Sequence, residues 1–398
     1  MEHSEEPVVK FTNSILYEAV KRRSSDIFIE PEEKNLRVRY RIDGLLQEGA
    51  MTTLSLHGGA ISRIKVMASL DIAEHRIPQD GRFRIKIQEK EVDFRVSVLP
   101  TYFGEKVVLR VLDKSQASLD IDQIGFEEAP LKSLKKASGH PHAMILICGP
   151  TGAGKTTTLY SVLRLLDQPD KNIVTVEDPV EFRIHGINQV AIRPEVKLTF
   201  ASALRAILRQ DPDVIMVGEI RDFETADVAI KAALTGHMVL STLHATTAVG
   251  AVTRLVNIGI EPFLITSSLL LVGSQRLVRK ICDKCKESYE PSAELLEALG
   301  FSKKNLKQEK LLFYKGRGCE ACNKKGYLGR AVLLETLALT SAAKEMILKD
   351  AQEFELKELG RKEGMKTMRE DGIAKIIKGI TTPEEVMRVT ISDEAGSP

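Results

Sequence analysis

Eight consecutive residues combine the glycines, the lysine and the hydroxyl group that phosphate binding requires. With the residue that follows, they are Gly149, Pro150, Thr151, Gly152, Ala153, Gly154, Lys155, Thr156 and Thr157. Glycines let backbone N–H groups turn toward an anion, the lysine reaches the outer phosphates, and a threonine hydroxyl can ligate Mg²⁺. The apolar run 143–148 predicts the buried strand that such a loop follows. The pattern therefore predicts a site for a nucleotide, with ATP and Mg²⁺ as its ligands.

Two carboxylates and two histidines stand beside later apolar runs. Glu177 opens an acidic segment after one run, and Glu219 follows the run Val214–Val217 almost directly. We expect Glu177 to position the attacking water and Glu219 to hold Mg²⁺, and the sequence leaves the reverse assignment open. His237 and His244 flank a further apolar run, where they would sense the γ-phosphate. Exposed loop glutamates and purely structural histidines are the alternatives.

Four of the five cysteines form two C-x-x-C pairs separated by 33 residues. They are Cys282, Cys285, Cys319 and Cys322. Two thiolates from each pair complete the tetrahedral coordination of Zn²⁺ and leave no open position, so the site would be structural. A redox pair or a chance spacing is the alternative.

Composition and charge argue against a general nucleic-acid binder, a membrane-spanning protein and a secreted protein. The 398 residues are 43% hydrophobic and 28% charged, as is usual for folded proteins of two or three domains. The net charge of +2 gives no general attraction to nucleic acid, although 14 Lys/Arg stand against 7 Asp/Glu between Arg276 and Arg330. The longest apolar run, around 263–272, is too short to span a bilayer, and the acidic N-terminus does not resemble a secretory signal. We expect a cytoplasmic protein.

Hydrophobic periodicity divides the chain into parts of different character. A helix from Phe11 to Arg23 is followed by alternating segments, which predict a small α+β domain with one apolar and one arginine-rich sheet face. Polar residues around 113–122 predict a flexible connection. Short apolar strands alternating with helices then predict a mostly parallel sheet covered on both faces, with ligands at the carboxyl ends of its strands. The expected boundaries are 1–113 (α+β domain), 114–139 (linker), 140–280 (ATPase core), 281–335 (tetracysteine module) and 336–398 (helical tail).

The predicted elements of the core are individually well marked. The strands are Met144–Cys148, Ile173–Val176, Val214–Val217 and Met238–Leu243. The helices are Thr156–Leu166, Phe200–Arg209, Thr225–Ala233 and Ala248–Ile258.

The order and spacing of these motifs resemble the assembly ATPases of type II secretion and type IV pili. The matching segments are 149–156, 176–181, 209–222 and 235–244, together with 25–31 and 76–82 upstream. Phe28 stands where the family often has histidine. The resemblance implies a RecA-like phosphate-loop ATPase domain after a PAS-like α+β domain. The tetracysteine module resembles the metal-binding insert of the extension and secretion members.

The same resemblance implies how the protein would work. Members form ring hexamers that turn ATP hydrolysis into movement of an inner-membrane platform protein, which adds pilin or pseudopilin subunits. Arg95 and Arg110 match the positions whose guanidinium groups contact the γ-phosphate. Full-length members also carry a further N-terminal domain that docks on a partner at the membrane, and we do not expect it within these 398 residues.

A DNA-translocating or conjugative ATPase is the alternative function. The basic segment 276–330 favours it, but this segment has few aromatic residues for base stacking and forms no continuous basic track. We therefore expect no nucleic-acid partner.

Overall fold

Two sheets with different sequence patterns organise the chain. Alternating apolar residues build the first sheet, and continuous apolar runs build the second. The computed structural model describes residues 5–87, 90–112, 120–300 and 311–390. The chain divides into two compact units, residues 1–117 and 118–398, and each is described by itself.

The first unit is a six-stranded antiparallel sheet with two helices on one face. Its elements are α1 (Glu5–Lys21), β1 (Ser24–Pro31), β2 (Asn35–Ile42), β3 (Leu45–Thr53), α2 (His57–Met67), β4 (Gln79–Ile87), β5 (Lys90–Thr101) and β6 (Gly104–Leu112). The strand order is β3-β2-β1-β6-β5-β4. Ile27, Phe94 and Leu109 on the strands are buried with Leu16 of α1 and Ile64 of α2. The alternation predicted from sequence is confirmed, because successive strand residues point to opposite faces.

The second unit is built on a seven-stranded sheet. Its strands are β7 (Ala143–Cys148), β8 (Ile173–Glu177), β9 (Asn188–Ala191), β10 (Val214–Ile220), β11 (Met238–Leu243), β12 (Leu269–Ile281) and β15 (Tyr327–Ala338). The order is β15-β12-β7-β11-β10-β8-β9, and only β15 runs antiparallel to its neighbour. Leu146 of β7 faces one core and Ile147 the other. The predicted parallel sheet with two covered faces is confirmed.

Helices cover both faces of this sheet. They are α3 (Glu128–Ser138), α4 (Lys155–Leu166), α5 (Phe200–Ile207), α6 (Phe223–Leu234), α7 (Ala248–Ile258) and α8 (Pro262–Ser268). Three of them begin where a side-chain oxygen caps the backbone N–H three residues later: Thr199 for α5, Asp222 for α6 and Thr247 for α7. Local capping therefore fixes the starts of α5, α6 and α7.

The tetracysteine module is inserted in the chain between β12 and β15, and the C-terminal helices pack beside it. The module contains β13 (Lys286–Tyr289), α9 (Ala293–Ala298), β14 (Phe313–Gly316) and a 3-10 turn (Glu320–Cys322). The C-terminal helices are α10 (Ser341–Leu348), α11 (Glu353–Lys362), α12 (Met368–Ile377) and α13 (Pro383–Val389). Phe313 of β14, Ile376 of α12 and Val386 of α13 are fully buried in one cluster, so the module is part of the packed unit.

The structure differs from the predicted boundaries in two places. The second half of the predicted linker contains α3, and its Leu134 is fully buried in the core of the second unit, as is Ile121 nearby. The first part of that linker, residues 114–119, lies outside the described residues. Residues 327–335, predicted as part of the module, belong to β15. Among the described residues, no helix is both long and apolar enough to cross a membrane.

Candidate nucleotide site, metal centre and family

The phosphate-binding candidate connects β7 to α4. The strand ends at Cys148 and the helix begins at Lys155. Gly149, Gly152 and Gly154 have φ angles of 146°, 78° and 83°, which residues with side chains rarely adopt. Glycines at these positions let the loop curl tightly, and consecutive N–H groups in such a curl form an anion-binding concavity.

Lys155 folds back over this loop. Its Nζ donates hydrogen bonds to the carbonyls of Gly149 (2.8 Å) and Pro150 (3.0 Å). Burial lowers the pKa of Lys155, and the carboxylate of Glu219 opposes that shift. The ammonium group therefore lies where it can transfer from backbone carbonyls to an incoming phosphate.

Glu219 and His244 come together at the same edge of the sheet. Glu219 lies near the end of β10, and His244 directly follows β11. The Nε2 atom of His244 lies 3.5 Å from Oε2 of Glu219, whose other oxygen pairs with Arg221. The Glu219 side chain is 14% exposed and that of His244 is 51% exposed. Parallel strands end at one edge, which brings these residues from distant parts of the sequence to one place.

His237 lies at the opposite edge. It precedes β11, and its backbone carbonyl accepts a hydrogen bond from the N–H of Ala143, at the start of β7. Its Nδ1 is 2.9 Å from the carbonyl of Ala232, at the end of α6. The assignment of His237 to the nucleotide site therefore does not hold within one chain, because the two ends of a parallel strand lie at opposite edges of the sheet.

Glu177 ends β8 but is enclosed. Only 2% of the residue is exposed. One carboxylate oxygen accepts hydrogen bonds from Thr175 (2.6 Å) and Gln189 (3.1 Å), and the other accepts one from the Tyr160 hydroxyl. Burial raises the pKa of Glu177, although the three donors oppose the rise. In this arrangement Glu177 fixes the end of β8 to α4.

Two residues of β12 touch the loop and were missed by sequence analysis. The side chain of Gln275 contacts Ala153 and α4, and Arg276 Nη1 lies 3.5 Å from where a Cβ on Gly149 would stand. Burial lowers the pKa of Arg276. Nothing in the local sequence pattern pointed to them, because the pairing of β12 with β7 joins segments more than 100 residues apart.

The four predicted metal ligands converge. All four Sγ atoms lie within 4.8 Å of one another. Three of the pairs are Cys319–Cys322 (3.7 Å), Cys282–Cys319 (3.8 Å) and Cys285–Cys322 (3.9 Å). Four thiolates at about 2.3 Å from a tetrahedral Zn²⁺ are about 3.8 Å apart, so the donor set fits this ion.

Close backbone packing holds the two cysteine pairs together. A Cβ on Gly316 would stand 2.0 Å from the carbonyl oxygen of Gly326, so the two segments approach at distances that only glycine permits. The N–H of Gly318 donates to the sulfur of Cys285 (3.3 Å), and that of Gly326 donates to Cys322 (3.2 Å). Such N–H···S contacts favour the thiolate form that a metal requires.

In the first unit, the polar face of the sheet carries a row of charged residues, here called the arginine row. Adjacent strands place them in direct register in the order Arg41, Asp26, Arg110, Arg95 and Arg82. Four guanidinium groups therefore accompany one carboxylate in this row. Asp26 pairs with Arg110 (3.1 Å) and Arg41 (3.5 Å). The Arg110 side chain is nevertheless 51% exposed.

Comparisons with known proteins agree with this architecture. The family described as type II/IV secretion system protein matches residues 1–388. The type IV pilus assembly ATPase PilB of Myxococcus xanthus is 50% identical over 97% of this chain and 68% of its own length. The type II secretion system ATPase E of Vibrio cholerae is 50% identical over 96% of this chain and 75% of its own.

Solved structures show the same fold. The crystal structure of the pilus retraction motor PilT with bound ADP has a TM-score of 0.64 at 25% identity and covers 96% of this chain and 97% of its own. The ATPase DotB of Yersinia pseudotuberculosis has a TM-score of 0.71 at 22% identity, over 98% of this chain and 94% of its own. With half of its residues identical to pilus and secretion ATPases over nearly its full length, the chain belongs to the type II/IV secretion ATPase family.

Proposed function

We propose that this chain is the ATP-hydrolysing motor of a type IV pilus or a type II secretion pseudopilus. The observation that carries the proposal is the meeting of Lys155, Glu219 and His244 at the carboxyl edge of a parallel sheet, beside a glycine loop that opens a helix. The names of the relatives with about 50% identity support the same activity.

The loop and α4 bind the phosphates in this proposal. Backbone N–H groups of residues 151–156 and the positive end of α4 face the β-phosphate, and Lys155 moves from its two carbonyl partners to the phosphate oxygens. The hydroxyl of Thr156 and the carboxylate of Glu219 would hold Mg²⁺, whose charge offsets that of the phosphates.

Glu219 is the better placed of the two carboxylates to act on the substrate. It is partly exposed and pairs with His244, so a proton or a water molecule can reach it. Glu177 would first have to release donors from Thr175, Tyr160 and Gln189. We assign the water-orienting and metal-holding work to Glu219 with His244, and to Glu177 the positioning of β8 and α4.

Arg95 and Arg110 complete the catalytic set in this proposal. Guanidinium groups are planar cations that stabilise the charge of a transferring phosphoryl group. The arginine row places four guanidinium groups and one carboxylate, that of Asp26, in direct register across five strands, which supports a role in contacting an anion. We propose that a ring hexamer brings this charge to the γ-phosphate, so that hydrolysis depends on assembly.

The tetracysteine site holds a structural Zn²⁺ in this proposal. Its four sulfurs leave no open coordination position, which excludes a role in activating water. The protein would act in the cytoplasm and reach the inner membrane through partners, namely a platform protein and a docking protein, with the module facing the platform.

Replacing Glu219 tests the proposed activity. Glu219→Gln keeps the size of the side chain but removes its charge, so turnover of MgATP should be lost while ATP binding is largely retained. Glu224→Gln is the matched control, because Glu224 is exposed at the start of α6 and pairs with Arg205. Wild-type turnover in Glu219→Gln would refute the assignment.

A further inference from the structure

One side chain of β12 forms a hydrogen bond with the backbone of the phosphate loop. Gln275 of β12 is fully buried. Its Nε2 donates a hydrogen bond to the carbonyl of Ala153 (2.7 Å), and its Oε1 accepts one from the hydroxyl of Thr158 (2.7 Å). Thr158 and Ala153 are themselves buried, so water does not compete for these bonds. The Gln275 bridge, from Ala153 through Gln275 to Thr158, therefore joins the loop to the first turn of α4.

The orientation of the Gln275 amide is determined by its partners. A carbonyl such as that of Ala153 can only accept a hydrogen bond, so the amide nitrogen must face it. The reverse orientation would set two oxygens against each other at a buried place. The Thr158 hydroxyl then donates its hydrogen to the amide oxygen, so the donors and acceptors of the bridge can be arranged in only this way.

Gln275 also lies close to the glycines at both ends of the loop, through its backbone carbonyl at Gly149 and its side chain at Gly154. A Cβ on Gly149 would stand 2.5 Å from its carbonyl oxygen, and a Cβ on Gly154 would stand 3.0 Å from its Nε2. A single residue therefore lies against the first and last glycines of the loop, whose φ angles of 146° and 83° already favour glycine.

This contact matters because of how a loop binds an anion. When N–H groups of the loop turn toward phosphate, the carbonyls turn away and need partners elsewhere. The Ala153 carbonyl would be a buried, unpaired acceptor without Gln275, and the loop would relax into conformations that pair it differently. We infer that Gln275 is a positioning residue that keeps the phosphate loop in its anion-binding conformation before nucleotide arrives. The inference rests on the proposed nucleotide site.

A positioning role predicts a particular division of kinetic effects. If only a fraction of molecules has the binding conformation, the apparent dissociation constant rises in inverse proportion to that fraction. Bound phosphate then restores the conformation, so turnover at saturating ATP is little changed. Because the loop grips phosphates common to both nucleotides, ADP and ATP should be affected equally.

The test uses the full chain and titration calorimetry with ADP and with a non-hydrolysable ATP analogue. Gln275→Met preserves length and removes both hydrogen bonds, so both dissociation constants should rise about tenfold. The kcat value should stay within about twofold of wild type. Ser161→Ala is the matched control: it removes a buried hydroxyl that bonds the Thr158 carbonyl on the same helix, without touching the loop. Its nucleotide affinities should equal those of wild type.

A second variant keeps the test decisive if Gln275→Met does not fold. Thr158→Val removes one end of the bridge and should weaken both nucleotides about threefold. In the double variant the effect should equal that of Gln275→Met alone, because the two residues act through one bridge. A lower melting temperature with unchanged dissociation constants, or a loss of kcat with unchanged affinities, would overturn the inference.

A parallel measurement on Lys155→Ala separates this inference from the proposed function. If Lys155→Ala still binds ADP like wild type, the nucleotide site itself is wrongly placed. If Lys155→Ala loses ADP but Gln275→Met does not, only the role of Gln275 fails.

Discussion

The phosphate loop and the arginine row gather positive charge in opposite ways. In the loop, Lys155 is bonded to two carbonyls of the same segment, and a buried glutamine supports the backbone. In the row, Arg110 and Arg95 stand side by side in register, and Asp26 is the one carboxylate among the five residues of the row. The loop is therefore a compact arrangement within one segment, whereas the row spreads its guanidinium groups over four strands of a sheet.

The largest effect should come from the loop. Lys155→Ala removes the cation that faces the phosphates, and hydrogen bonds to charged groups are among the strongest in proteins. We expect ADP affinity to fall by more than about a hundredfold and ATP hydrolysis to disappear. Calorimetry and a phosphate-release assay measure the two quantities. Retained affinity would mean that the loop is not the phosphate site.

The arginine row should affect turnover more than binding. Arg110→Ala should reduce ATP hydrolysis on the order of a thousandfold, as expected for arginines that act in phosphoryl transfer. Arg84→Ala is the control, because Arg84 lies on the same sheet face but pairs with Asp93 and Glu91. A similar loss of turnover in both variants would show that the whole face, rather than the row, is responsible.

Loss of the tetracysteine metal should leave nucleotide binding by the phosphate loop unaffected. Cys319→Ser removes one of four thiolates, so zinc measured by elemental analysis should fall from about one ion per chain to a small fraction. ADP affinity should change by less than about twofold, because the Gln275 bridge joins β12 to the loop and α4, and none of its residues belongs to the module. Wild-type protein that lacks zinc when purified without chelator would contradict the assignment.

The smallest effect concerns Glu385, a buried carboxylate that forms ion pairs with two arginines. Glu385 of α13 accepts hydrogen bonds from Arg279 and Arg388 at 2.8 Å each. Burial alone would raise the pKa of Glu385, but donors from both arginines hold it at about 2. Because the folded-state pKa lies below the unfolded value of 4.5, this stabilisation is present above pH 4.5 and is lost as the pH falls toward 2.

The expected contribution of this pair is up to about 3 kcal/mol in the free energy of unfolding. Glu385→Gln should therefore lower that free energy at pH 7, and the difference from wild type should shrink as the pH falls from 4.5 to 2. Urea unfolding at several pH values measures it, with exposed Glu384→Gln as control. A difference that does not depend on pH would refute the charged pairing.

Local patterns predicted the loop, the cysteine set, the alternation in the first sheet and four of the seven strands of the second sheet. The strand Met238–Leu243 and the helix Ala248–Ile258 have the predicted bounds. Sequence analysis missed the features that depend on pairing between distant segments of the chain. β12 contains Ser274 and Gln275 amid apolar residues and lacks a regular alternation, so its place beside β7 could not be read locally. Its Gln275 was missed with it.

The site residues show the same division. Glu219 and His244 were brought together by a general rule on the ends of parallel strands, which needs no side-chain detail. His237 was misplaced because the sequence marks both ends of β11 equally well. The enclosure of Glu177 depends on Tyr160 and Gln189, which reach it from α4 and β9, and no spacing rule connects these residues.

The measurement that tests the central comparison most directly is the ratio of ATP to ADP affinity. In the proposed function the loop binds phosphates that both nucleotides share, whereas the arginine row acts on the γ-phosphate alone. Arg110→Ala should therefore leave the ADP dissociation constant within about twofold of wild type and weaken a non-hydrolysable ATP analogue several-fold. Equal weakening of ADP and the ATP analogue would contradict the division of work between the loop and the row.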